Sequence, residues 1–176
     1  MKSIKLKNLV LSAMFMAIGI VLPFLTGQIK QLGNMLLPMH IPVLLCGLIC
    51  GAQYGAITGL ILPLLRSSLF SMPQMYPTAL AMSAELAAYG FFAGFLYSLS
   101  KTKSVKDLYK TLVVSMLSGR VVFGIAQLLL LAVKSTEFTF AAFISMAFVS
   151  AFPGIVIQFI VIPAIMIALK YTKYKQ

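Results

Sequence analysis

The chain has 176 residues, 61% of them hydrophobic and only 10% charged, with a mean hydropathy of +1.02. A water-soluble domain of this length needs far more polar surface, so the composition excludes one and indicates an integral membrane protein with no room for a soluble domain. The net charge of +11 comes from 14 Lys and Arg against 3 Asp and Glu; in a membrane chain that excess belongs to loops on the cytoplasmic side rather than to nucleic acid.

The apolar residues fall in runs of roughly 20, long enough for a helix to cross a bilayer, and six helices are predicted over residues 1–176 as one unit. The first covers about 8–26, NLVLSAMFMAIGIVLPFLT, and carries Ala13 and Ala17 four apart on one face. It follows a basic start, but without a convincing cleavage site it is expected to be a span rather than a signal peptide. The second, about 39–50, is short. It opens at His40 and holds Cys46 and Cys50 one turn apart, as small buried hydrophobes, since a metal site needs more ligands nearby. A very tight turn, CGAQYG, leads to the third helix over about 52–70, which has Gly51, Gly55 and Gly59 at small-xxx-small spacing and Arg66 near its end.

The fourth helix covers about 77–99 and places Thr78, Met82, Glu85 and Tyr89 on one face. Glu85 sits eight residues in, or roughly 12 Å from the start of that span. The fifth, about 108–133, has Arg120 near its middle, and Gly124 and Gln127 continue that face. The sixth, about 139–170, carries a small and polar stripe of Ser150, Gly154 and Gln158. Its two prolines, Pro153 and Pro163, are tolerable in a span whose neighbours satisfy the freed carbonyls.

Lysine counting sets the orientation. With the N-terminus inside, ten lysines fall inside (Lys2, Lys5, Lys7; Lys101, Lys103, Lys106, Lys110; Lys170, Lys173, Lys175) against Lys30, Lys134 and Arg66 outside. That bias requires an even number of spans, so both termini are expected in the cytoplasm. The outer loops then carry Gln28, Lys30, Gln31 and Asn34 in one and Gln74 and Tyr76 in another. Both also contain many apolar residues, as a lid folded back over an external pocket would.

An ionisable group inside a span costs about 2.5–3.5 kcal/mol, so each must face a partner or a cavity. For Glu85 and Arg120 two readings stand: an ion pair that only holds two helices together, or two groups lining a solute pocket in the outer half. Arg66 either snorkels to the interface or holds an anionic ligand. His40 is either a polar helix-end residue or a ligand-binding group. No Gly-rich sequence ending in Gly-Lys-Ser/Thr is present, so this chain does not itself hydrolyse ATP, and no His and carboxylate cluster suggests a catalytic metal or an enzyme.

Taken together, the six helices, the size, the external first loop and the Ala13/Ala17 pattern resemble an S component of the energy-coupling factor (ECF) transporters, over the whole length. The stretch LPMHIPVLLCGLICGAQYGAITGLILPLLRSSLFSMPQMYPTALAMSAELAAYG resembles a subgroup assigned to pantothenate. The resemblance implies a small subunit of the prokaryotic plasma membrane that binds a vitamin from outside without a cofactor of its own. A transmembrane coupling subunit would dock on Ala13 and Ala17, and two ATPase subunits would use ATP. The resemblance also implies that the subunit topples in the membrane to carry its cargo inward, and the absence of Trp removes one kind of interfacial anchor against that motion. The candidate solute-binding residues are Asn34, His40, Arg66, Gln74, Tyr76, Glu85, Tyr89, Arg120, Gln127 and Gln158, with Gln28, Lys30 and Gln31 in the lid. Counting Arg66, Arg120 and Glu85 alone, the intramembrane charge is +2 − 1 = +1, which favours a monoanion such as pantothenate. The rivals are another vitamin, pyridoxine-like or riboflavin, and a self-sufficient secondary transporter.

Overall fold

A computed structural model of the chain describes residues 2–26, 36–132 and 152–173, all of it helix and connecting turn. The helices are α1 (Lys2–Val21), α2 (His40–Cys50), α3 (Ala52–Phe70), α4 (Leu80–Leu99), α5 (Val105–Ala132) and α6 (Phe152–Lys173). A 3-10 turn, Leu22–Thr26, extends α1, and a wide turn, Met75–Ala79, leads into α4 with Tyr76 extended. The predicted start of the fourth helix at 77 therefore moves to Leu80. Residues 139–151 of the predicted sixth helix lie outside the described residues.

Among the described residues, four stretches are long and apolar enough to cross a membrane: Ile4–Phe24, Met75–Leu99, Val105–Leu130 and Phe152–Leu169. Of the six predicted spans, α2 and α3 are not among these stretches. The 11 residues of α2 reach only ~16 Å, half a hydrocarbon core. The 19 residues of α3 are long enough, but Gln53, Gly55, Gly59 and Arg66 dilute their apolar content.

These two helices form an antiparallel hairpin about Gly51, whose φ of 104° is open to glycine and strained for other residues. The amide of Gly51 donates to the Gly47 carbonyl at 3.0 Å, and that of Gly55 to the Gly51 carbonyl at 3.0 Å. Beyond the turn, Gly47 faces Gly55, and the Cys46 thiol meets the Thr58 hydroxyl at 3.4 Å. His40 and Leu62 each lie eleven residues from Gly51, so they sit at one level. From there α3 runs eight further residues to Phe70, or ~12 Å. The short second helix thus begins inside the bundle.

Helix α4 is central and packs against α2, α3 and α5; α1 lies on α2 and α3, and α6 meets α5 and α2. Its buried side is narrow: Ala81, Ser83, Gly90, Ala93 and Gly94 accompany Glu85, Leu86 and Tyr89. Gly90 enters the Gly47–Gly55 contact, so three backbones meet there. A Cβ on Gly55 would lie 2.6 Å from both the Gly47 Cα and the Gly90 carbonyl oxygen. Backbone on both sides cannot rotate away, so Gly55→Ala should cost at least the ~1–3 kcal/mol of ordinary overpacking. Thermal unfolding in detergent checks this, and an unchanged midpoint would refute the close crossing.

The glycine crossing lies toward one end of the bundle. There the Asn8 side chain donates to the Cys50 carbonyl at 3.1 Å, bringing the start of α1 to the α2–α3 turn. Ala52 packs on Gly94, which brings the α4–α5 connection to the same end. Lys5, Lys7, Lys101, Lys103, Lys106 and Lys110 are all exposed there. Helix α5 starts at this end from a capping arrangement: the Ser104 amide donates to Asp107 Oδ2 at 3.1 Å and the Asp107 amide to Ser104 Oγ at 3.2 Å. Away from the glycines the three helices carry larger residues, and the buried polar groups stand on that side.

A buried polar cluster as the candidate solute site

Three helices bring His40, Glu85 and Arg120 together. His40 is the first residue of α2, Glu85 lies one and a half turns into α4, and Arg120 lies near the middle of α5. Arg120 Nη1 approaches Glu85 Oε1 at 2.8 Å, and His40 Nε2 lies 3.7 Å from the same oxygen. All three are at most 5% exposed. The Tyr89 ring meets the imidazole edge to face, with centroids 5.2 Å apart. Gly119 makes room for that ring: a Cβ there would stand 2.6 Å from it. The predicted Glu85–Arg120 pair is thus present, and His40 and Tyr89 join it.

The cluster is far from satisfied. Among the described residues, the buried side-chain atoms without a hydrogen-bond partner are both ring nitrogens of His40, Glu85 Oε1, Arg120 Nε and Nη2, Gln127 Oε1, and both amide atoms of Gln158. Glu85 Oε1 belongs to this set because its 2.8 Å approach to Arg120 is ionic contact without hydrogen-bond alignment. Each buried polar group left unpaired costs about 1–3 kcal/mol, and charged ones cost more. Five of these eight atoms belong to His40, Glu85 and Arg120. A pair serving only to hold two helices together would be expected to satisfy itself. Here the pair leaves one whole edge of its guanidinium, Nε with Nη2, without a partner, and that edge matches the two oxygens of a carboxylate.

Gln127 lies two turns beyond Arg120 on α5, and Gln158 is fully buried on α6, which packs on the helices carrying Arg120 and His40. Gly154 of the predicted sixth-helix stripe is buried with Gln158, while Ser150 lies outside the described residues. So do Gln28, Lys30, Gln31 and Asn34 of the predicted lid. Gln74 is exposed. The half-buried Tyr76 donates its hydroxyl proton to the Leu130 carbonyl, tying the entry of α4 to the far end of α5.

Arg66 has a different environment. It is 3% exposed, so its side chain is held within the protein and does not reach outward as the snorkelling reading requires. Its guanidinium lies 5.1 Å from the Phe24 ring and 5.4 Å from the Phe70 ring, and Nη1 donates to the Ile20 carbonyl. Ile20 is in the last turn of α1, where carbonyls lack intrahelical donors and the helix carries partial negative charge. A helix end thus stands where the sequence offers no acid. Thr58, Ser67, Ser83 and Ser115 are buried polar residues that the sequence reading did not single out. Ser83 and Ser115 donate to carbonyls of their own helices, at 2.8 and 2.6 Å. No group of three or more His, Cys, Asp or Glu that could hold a metal forms among the described residues.

An all-helical multi-pass membrane protein with a sealed cluster of unpaired polar side chains on one side of a glycine-packed crossing has the features of a solute-binding transport subunit. The chain belongs to the family of ECF transporter substrate-specific components, whose family model matches residues 7–166. No curated protein and no solved structure matches it at a significant level.

Proposed function

We propose that the protein captures a small water-soluble vitamin bearing one carboxylate and several hydroxyl or amide groups, with pantothenate as the best candidate, and passes it inward as the substrate-specific subunit of an ATP-driven importer of the prokaryotic plasma membrane. The observation that carries this reading is the unpartnered Nε/Nη2 edge of Arg120 beside other unpaired buried polar atoms. The ligand carboxylate takes that edge. Glu85 accepts from a ligand hydroxyl or amide N–H, and His40, Gln127 and Gln158 complete the polar contacts, with Tyr89 packed beneath His40. The exposed lysines at the glycine-packed end support a reading in which that end and both termini face the cytoplasm and the cluster lies in the outer half. A transmembrane coupling subunit and two ATPases supply the energy.

Calorimetric titration of the purified subunit with pantothenate, its uncharged alcohol analogue, pyridoxine and riboflavin tests the substrate. Saturable binding of the acid, with the alcohol much weaker, is expected. Equal affinity for acid and alcohol defeats the carboxylate reading and moves a neutral vitamin ahead. Uptake that survives loss of the ATPases would instead make this a self-sufficient secondary transporter.

A further inference from the structure

We infer that His40 is a proton-binding site that fills together with an anionic ligand, so that a monocarboxylate enters the buried cluster with about one proton. This inference rests on the proposed carboxylate contact with Arg120.

Its basis is a charge count around the imidazole. The described titratable or charged groups facing His40 are Glu85 and Tyr89 from α4 and Arg120 from α5. Helix α3 contributes Arg66, which is engaged with Ile20; Lys5 and Lys7 of α1 are exposed at the far end, and the described buried residues of α6 are uncharged. In the free protein Arg120 and Glu85 cancel, and the start of α2 adds about half a positive charge, since His40 is its first residue. The imidazole therefore stays neutral. A ligand carboxylate on the free edge of Arg120 reverses the sign: two negative charges then face one positive and about half of another. In a buried, poorly solvated cluster such an excess is costly unless a cation joins it.

His40 is placed to supply that cation. Neither ring nitrogen has a hydrogen-bond partner, and Nε2 lies 3.7 Å from Glu85 Oε1. A proton taken from solvent makes both nitrogens donors, one toward Glu85 and the other toward the ligand. The ligand uses the opposite edge of Arg120 and leaves the 2.8 Å contact with Glu85 in place.

The test is calorimetry of the wild-type subunit with pantothenate and with its alcohol analogue, in buffers of differing ionisation enthalpy. Uptake of about one proton per bound acid and none per bound alcohol is expected above about pH 7, where a free imidazole is neutral. The site binds more protons when occupied, so affinity for the acid should fall as pH rises, by up to ~10-fold per pH unit. Acid binding with no proton uptake overturns this inference and leaves the substrate reading standing. Failure of the acid to bind overturns both. His40→Gln should abolish the proton uptake, and its persistence in a folded, binding-competent variant would place the proton elsewhere.

Discussion

Arg120→Gln is expected to weaken binding of the carboxylate vitamin by about 2–5 kcal/mol, or roughly 30- to several-thousand-fold, as when one partner of a buried charge pair is removed. Wild type should lose a similar amount when the ligand's carboxylate is capped as an amide. The variant should lose far less on capping, because the contact is already gone. This non-additivity separates a ligand contact from a structural one, since a collapsed site would treat acid and amide alike. Arg120 also pairs with Glu85 at 2.8 Å, so its loss strands a buried carboxylate and lowers stability. Arg120→Gln combined with Glu85→Gln removes both charges and should recover folding without recovering the preference for the acid. Arg66→Gln is the control: its guanidinium holds the end of α1 between Phe24 and Phe70, so its loss should lower the thermal midpoint while the acid-to-amide preference stays. A preference lost in Arg66→Gln and kept in Arg120→Gln would return the carboxylate to Arg66.

Read from the sequence alone, Arg66 is the first choice for the carboxylate and Arg120 the second, because no acid lies near Arg66 while Glu85 can already occupy Arg120. The sequence shows which acids exist. It does not show where helix ends fall in space, and the partner of Arg66 is the carbonyl of Ile20. The Glu85–Arg120 pair was legible because both charges lie within apolar runs that must pack together, and one acid among the spans leaves few partners. The boundaries of α2 and α3 were nearly legible too, since Gly51 marks the break. The depth of His40 was not. It depends on Gly47 facing Gly55 and Gly90, a register fixed by three backbones meeting without side chains between them. Once that register is set, the first residue of a half-length helix comes beside an acid 45 positions away. Periodicity carries no trace of such a contact.

Ala13→Trp with Ala17→Trp is expected to abolish uptake while leaving solute binding by the isolated subunit nearly intact. Helix α1 turns Ser12 and Gly19 inward, and Gly19 packs on Leu62. Ala13 and Ala17 fall on the opposite side and are exposed, between the likewise exposed Val10, Met14 and Ile18. No described helix of this chain covers that face. Two alanines one turn apart make a shallow notch along it, where the backbone of another helix can approach closely. In a lipid-facing role the notch would tolerate tryptophan, because acyl chains rearrange around a ring. In a helix–helix contact the ring holds the partner away, and the coupling to ATP hydrolysis is lost with it. The His40–Glu85–Arg120 cluster lies on the other side of α2 and α4, so ligand affinity should change little. Uptake in cells and calorimetry on the purified subunit are therefore to be measured on the same double variant. Normal uptake would show that the coupling subunit docks elsewhere. Loss of both uptake and binding would show that the substitutions disturb the bundle itself.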